Sequence, residues 1–338
     1  MKKSMTLSLI LVLAAALAAC APAAGLKAGS ASAEALIKLL PEATRGVVAV
    51  DVHRAMELAS VAKMLEANPA AKAKYDEFVK LAGLDPAKDV YLFVLGLMGV
   101  PGEGEPDGGF IVNLRYNKGS ILAAIEQKAP GFKEEAYNGV TVYSNLDGDQ
   151  KQTTRAAFLD DSNIVVGSDR GVKGIIDVFQ KKAGSVMKNP EMAAIFKKVD
   201  KEGLGWVAFA IPPGLIEKGV AAQPQLKVLE GVKALTMSYD HRLSKYVADI
   251  RTLGGTEEQN KNLAQALTGL KSLGAMFGGQ EPAVGELMNA IEITSGKDYA
   301  RLYISVTDEL AEKLGKLAQA KAGDFIKINK GTPGEEIK

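Results

Sequence analysis

The sequence predicts an α+β body: two lobes of similar order, each an antiparallel sheet with helices packed on one face. Three observations carry this expectation. Short apolar or alternating runs of roughly four to eight residues recur from residue 34 to residue 321. Several neighbouring runs are separated by tight turn signals, which suit antiparallel pairs, whereas parallel pairs need a long crossover. Amphipathic helical segments stand between them, so each apolar sheet face has a partner to pack on.

In the first lobe, residues 47–52 are an apolar strand. Leu58, Val61, Ala62 and Leu65 then follow helical spacing until Pro69 interrupts it. A second helical segment, 72–81, closes at Gly83, a residue suited to a helix C-cap. Residues 90–97 are a buried strand. After the Gly/Pro-rich stretch 101–109, Phe110, Val112, Leu114 and Tyr116 alternate with Asn113 and Arg115, as in a half-buried strand. A short helix spans 120–128. Strands follow at 140–144, 155–159 and 163–167, the last two joined through Asp160-Asp161-Ser162-Asn163, and 172–181 is helical.

The second lobe repeats this order. Residues 206–211 form a strand, and Pro212-Pro213 opens a helical stretch. Segments 235–239 and 246–253 make a hairpin. Thr256 and Gln259 have the spacing of a capping box, and its helix carries Leu263, Leu267, Leu270 and Leu273 on one face. Segments 288–294 and 299–306 form another hairpin; in the second, Ala300, Leu302, Ile304 and Val306 alternate with Arg301, Tyr303 and Ser305. Thr307-Asp308-Glu309 caps a closing helix that reaches about residue 320.

The lobes are expected at 34–200 and 201–321, with a small-residue tether over 20–33 and a polar tail over 322–338. Asp51-Val52-His53-Arg54 after one strand and Asp240-His241-Arg242 after another leave open a divergent internal repeat.

Composition narrows the function. With 47% hydrophobic and 24% charged residues the chain is an ordinary folded protein. Without its first twenty residues, which hold Lys2 and Lys3 and no acid, it carries 39 basic and 40 acidic side chains, net −1. That balance lacks the clustered positive charge of a nucleic-acid binder and the polybasic patch of an electrostatic membrane binder.

The first nineteen residues have a lysine head, an apolar run led by Leu7, Leu9, Ile10, Leu11, Val12 and Leu13, and a small-residue exit. That is the layout of a secretory signal peptide, with a run shorter than the roughly 20 residues of a spanning helix. Leu17-Ala18-Ala19-Cys20 resembles the bacterial lipobox, and Cys20 is the only cysteine in the chain. The resemblance implies diacylglyceryl transfer to the Cys20 sulfur and cleavage before it, leaving a lipoprotein (a palmitate-type modification) on an envelope membrane. Two acyl chains hold such an anchor stably. Ala21, where the resemblance associates Asp with inner-membrane retention, points to the outer membrane facing the periplasm.

Three stretches carry a second resemblance: Leu39-Leu40-Pro41-Glu42-Ala43, the run from Leu84 to Val90, and Ala157-Phe158-Leu159-Asp160-Asp161 with Ile164-Val165-Val166-Gly167. They resemble the uncharacterised exported bacterial proteins of the DUF3352 kind over about residues 36–320. The resemblance implies a repeated α+β body and brings no catalytic residues with it.

Chemical motifs are sparse. His53 and His241 are the only histidines, and with Cys20 spoken for they make no zinc set, so neither metal nor cofactor is expected. No Gly-x-Ser-x-Gly elbow occurs. Thr294-Ser295-Gly296-Lys297 lacks the earlier glycine of a phosphate loop and is followed by Asp298, so it reads as a turn. Gly102-x-Gly104 lacks a dinucleotide fingerprint's third glycine. Asp147-Gly148-Asp149 lacks the glutamate of a calcium loop, Phe158 standing there. Asp160-Asp161 reads as a turn, and Met187, Met192, Met276 and Met288 as core filler rather than a pocket lining.

These observations predict a non-catalytic binding or interaction protein of the envelope, with an envelope protein as partner. A carrier of lipid or another apolar ligand is the alternative. A hydrolase built on carboxylates such as Asp51 and Asp240 is the third reading.

Overall fold

The structure is a computed structural model that describes residues 32–99, 107–146, 154–279 and 281–318. Both halves of the chain meet on one strand. β1 (Gly46–Asp51) pairs antiparallel with β2 (Val90–Leu97) on one side and with β8 (Gly205–Ala210) on the other. From β2 the sheet continues through β3 (Gly108–Leu114), β7 (Asn163–Gly167), β6 (Arg155–Phe158) and β5 (Val140–Ser144) to edge strand β4 (Lys133–Tyr137). From β8 it continues through β9 (Val232–Arg242), β10 (Lys245–Gly254) and β12 (Tyr299–Thr307) to edge strand β11 (Ile291–Ser295). The described residues thus form one antiparallel sheet of twelve strands, all in the expected α+β class.

The strands expected in two lobes all belong to this one continuous sheet. β1 is apolar on both faces, and pairing along both edges satisfies its backbone while burying it. Outward from β1 and β8 the topology runs alike: a three-strand meander, a helix, then a later strand returning beside the third. Asp51 ends the first strand of its meander and Asp240 lies two residues before the end of the second strand of the other, so they do not hold equivalent places.

Helices lie on both faces, not one, because the central strands present apolar side chains in both directions. On the first face, α1 (Ala33–Ile37), α7 (Asp169–Phe179) and α8 (Pro190–Phe196) bury Val47, Val94, Ile111 and Val165 with Leu36, Ile175, Ile176 and Met192. On the second, α2 (Val52–Met56), α3 (Ala59–Ala67) and the end of α4 (Pro69–Ala82) bury Val52, Ala55, Leu58, Val61 and Ala82, with Tyr246. Residue 52 therefore starts a helix rather than ending a strand, because Asp51 accepts from the Arg54 N–H as its N-cap. α4 ends at Gly83, left-handed at φ 63°, as its spacing predicts. The short α5 (Pro86–Asp89) leads into β2, and α6 (Lys118–Lys128) into β4.

The packing of α7 on β3 shows how tightly the layers meet. A Cβ at Gly171 would lie 2.0 Å from the Gly108 carbonyl oxygen, so only glycine permits this approach. Beyond β8, a short helix α9 (Leu215–Ala222) precedes β9, and α10 (Glu257–Phe277) starts at the expected Thr256–Gln259 capping box. α11 (Pro282–Asn289) takes up Met288, which the sequence reading placed in a strand. α10 packs on β11, where Ile291 and Ile293 are half-buried while Glu292 and Thr294 point the other way and are exposed. After β12, residues 308–318 form helix α12 on that same second face, with Ala311 packed in the second core.

Candidate functional site

On the first face, helical cover stops at β8. Trp206 is buried there against Phe196 of α8, edge to face at 6.0 Å. On β9, β10, β12 and β11 the side chains of that face turn polar and aromatic. The registers place them in two rungs: Ser238, Asp249, Tyr303 and Glu292 side by side, then Thr236, Arg251, Arg301 and Thr294. Leu253 and Tyr299 follow in the next rung.

Arg251 and Arg301 stand directly opposite one another, a like-charge pairing that destabilises a sheet unless something intervenes. Asp249 intervenes. Its Oδ1 accepts from Nε of both arginines at 3.0 Å, and its Oδ2 accepts from Nη2 of Arg251 at 2.7 Å and of Arg301 at 2.8 Å. Burial alone would raise the Asp249 carboxyl; the hydrogen bonds and charges of the two guanidiniums outweigh it and hold the group below its ordinary range. The same guanidiniums approach aromatic rings: Arg301 is 4.7 Å from the Tyr303 centroid and Arg251 is 5.9 Å from that of Tyr299. Beside them, Asp200, Thr236, Ser238, Asp249 and Arg251 border a shallow cleft with room for about one water molecule (about 10 Å³). Lys198 closes its far side, bonded to Asp298 at 2.8 Å.

This surface is half-exposed and rich in Tyr and Arg. Two planar cations share one carboxylate, and Glu292 at the edge of the same rung balances the second cation, so the face mixes both signs of charge. Such a surface can bind a partner by stacking and hydrogen bonding. Its signal in the sequence was the polar half of the alternation in β12, Arg301 and Tyr303, which sequence reasoning used only to recognise a strand.

The carboxylates singled out from the sequence meet next to it. Arg54 Nη2 donates to Asp240 Oδ1 at 3.4 Å, and its Nη1 lies 3.8 Å from Asp51 Oδ2. Asp240 also binds Arg242, which reaches Asp200 at 3.4 Å. Burial raises the Asp51 carboxyl above its ordinary range, against the opposing pull of the Arg54 N–H and charge. Both acids are thus held in structural bonds. The histidines stay apart: His53 Nε2 faces Glu57 at 3.7 Å, and His241 Nε2 contacts Asp308 at 2.6 Å beside the Tyr246 ring. Among the described residues no group of three or more His, Cys, Asp or Glu could hold a metal ion.

Asp160 accepts from the Ser162 N–H and from the Asn163 amide, which makes Asp160-Asp161 a turn. Gly296 donates to the Tyr299 carbonyl oxygen at 2.9 Å within the β11–β12 turn. Met192 is fully buried, Met288 half-buried, and Met187 and Met276 are exposed, so the four line no common pocket. Cys20, Gly102-x-Gly104 and Asp147-Gly148-Asp149 lie outside the described residues.

Part of the chain is similar to known sequences, and most of it is similar to a solved structure. Residues 117–244, from the start of α6 to the turn after β9, match a family described as "Protein of unknown function (DUF3352)". No curated protein matches significantly. Crystal form III of TP0453 is similar at 12% identity and TM-score 0.48, covering 83% of this chain and 97% of that one. Crystal form I is similar at 10% identity and TM-score 0.46, covering 83% and 96%.

Proposed function

We propose that the protein is a lipid-anchored, non-catalytic binding protein of the bacterial envelope, and that the uncovered face of β9–β12 is where it takes its partner. One observation carries the reading: Tyr299, Arg301, Tyr303 and Arg251 share a half-exposed sheet face that no helix packs on among the described residues. Tyr and Arg dominate binding hot spots because each offers a large, rigid contact area with polar edges. The anchor is Cys20, by its lipobox-like setting. No helix of the described residues is long and apolar enough to cross a membrane, which leaves the acyl group as the attachment this reading uses.

The test is site-specific photocrosslinking in the intact envelope, with the reactive group at Tyr303. The reading requires one discrete adduct that Arg301→Glu reduces at least tenfold. Labelling that is diffuse, or unchanged by Arg301→Glu, rejects this face as the partner site.

A second reading, a carrier of lipid or another apolar molecule, is favoured by a different feature. Val48, Leu95, Phe110, Val207 and Phe209 on the second sheet face are only half-buried. Apolar side chains left partly accessible in this way suit contact with an acyl chain. Native mass spectrometry of protein taken from membranes in a mild detergent decides: a carrier retains a lipid-sized adduct through buffer exchange, and a filled core retains none.

A further inference from the structure

α10 is buried at one end and bare at the other. Its first half sinks Leu263 and Ala264 into the body. Its second half exposes Leu270, Leu273 and Met276 to 63%, 57% and 76%. The sequence pattern had put Leu263, Leu267, Leu270 and Leu273 on one core face; the last two look outward because α10 runs on past the start of β11, where Lys271 Nζ donates to the Ile291 carbonyl oxygen at 2.6 Å. Residues spaced by three lie on one side of a helix, so the three apolar side chains form a stripe.

Along α10 itself the neighbours of the stripe are uncharged. From residue 262 to residue 279 the only ionisable side chain is Lys271, which is held by that carbonyl. The neighbouring exposed positions are Ala266, Thr268, Gly269, Ser272 and Ala275. The stripe is also rigidly presented. α11 braces α10 from another side so closely that a Cβ at Gly278 would lie 2.6 Å from the Gly285 Cα.

Three side chains among small neighbours fall well short of the roughly 800 Å² per partner that a stable protein interface buries. The stripe also holds none of the Tyr, Trp and Arg that anchor protein hot spots; those lie on the opposite sheet face. An apolar strip with little charge suits the interfacial zone of a bilayer. Such an insertion is weak alone and becomes effective once the body is tethered, because the second contact is then intramolecular. The chain from residue 20 to residue 32 can reach at most about 40 Å. α1 begins beside β1 and β2, and β2 lies six strands from β11, about 29 Å across the sheet. The reach exceeds that in-plane separation, and because α1 lies on the first face and α10 on the second, the remaining length carries the tether round the sheet.

We infer that Leu270, Leu273 and Met276 of α10 insert into the interface of the phospholipid bilayer that holds the acylated amino terminus. This rests on the anchor reading above and extends it: the body gains a second attachment, which turns the second sheet face to the membrane and the Tyr/Arg face away from it. With so little charge at the stripe, the contact is independent of salt and of anionic lipid.

The test uses the full chain purified from membranes, carrying Leu273→Cys with a fluorophore, in vesicles of phosphatidylcholine or phosphatidylglycerol that contain brominated lipid. The control is Lys133→Cys on β4, at the far edge of the sheet. Quenching at position 273 should be at least threefold that at 133, equal in both lipids, and reduced to the control level by Leu270→Glu with Met276→Glu. Equal quenching at the two positions overturns the inference. So do crosslinks between two copies through position 273 without quenching, which assign the stripe to a second copy. Intact mass separates the two readings: two labels per chain mean a bare Cys20 and sink the anchor alone. Quenching is then read in a Cys20→Ser background, where selective loss at 273 overturns the α10 contact.

Discussion

Arg54 bonds the carboxylate of Asp240, 186 positions further along the chain, at 3.4 Å. It leaves α2 at the end of β1 and reaches past β8 to the end of β9, so one ion pair stitches the two halves of the sheet at their seam. Asp240 is 7% exposed at its side chain and depends on Arg54 and Arg242 for compensation.

Removing one partner of a buried pair costs more than the pair contributes, because a charge is left behind in low dielectric. Arg54→Ala is expected to lower unfolding stability by about 2–4 kcal/mol in urea titrations. A change under about 0.5 kcal/mol, the scale of a surface substitution, would show that the contact is incidental.

Asp249 and Asp51 predict opposite pH behaviour. The folded Asp249 carboxyl is lowered, so its contribution is present above the unfolded value near 4 and is lost as pH falls through the folded one. Asp249→Asn should therefore destabilise at neutral pH, with the gap from the parent closing in acid. Asp51 is raised, so its ionised form is penalised at neutral pH and the penalty fades as pH falls through its folded value. Asn can still cap α2, and Asp51→Asn should leave neutral stability unchanged or higher. Thermal unfolding from pH 3 to pH 7 measures both; parallel curves for the two variants would contradict the assignment.

The close approach of α7 to β3 gives a steric prediction. In Gly171→Ala the new methyl would meet the Gly108 oxygen, and the helix must shift off the sheet. The expected cost is about 1–3 kcal/mol, read as a lower denaturation midpoint with an unchanged slope. Gly131→Ala makes a poor control because its φ is 80°; Gly315→Ala on α12, where nothing lies within 4 Å, should be neutral or slightly stabilising.

The anchor has its own test. Cys20→Ala should abolish incorporation of labelled palmitate, and it should leave an uncleaved precursor heavier by the first nineteen residues. Label retained in that variant would place the lipid elsewhere or refute it.

Much of the fold follows from local pattern. Alternation in residues 299–306, the turn at 160–163, the capping box at Thr256 and the glycine after α4 each specify an element through interactions within a few residues. β4 escaped because Lys133, Glu134 and Glu135 make a polar edge strand, whose charges guard an unpaired edge instead of marking a buried face. Neighbours across the sheet are another matter. Periodicity tells which side chains share a face and never which strand lies alongside, so the β1–β8 seam and the Arg54–Asp240 bond are tertiary facts.

The amino-acid sequence by itself determined the α+β class, most strand and helix positions, a neutral body with few catalytic groups, and the lipobox-like setting of Cys20. Only the tertiary structure decided what is covered. Helices stop at β8 on one face, which leaves the Tyr/Arg rungs open, and α10 overruns β11, which bares Leu270 and Leu273. The physical reason is that exposure depends on where other elements end, a quantity fixed by packing over long sequence distances.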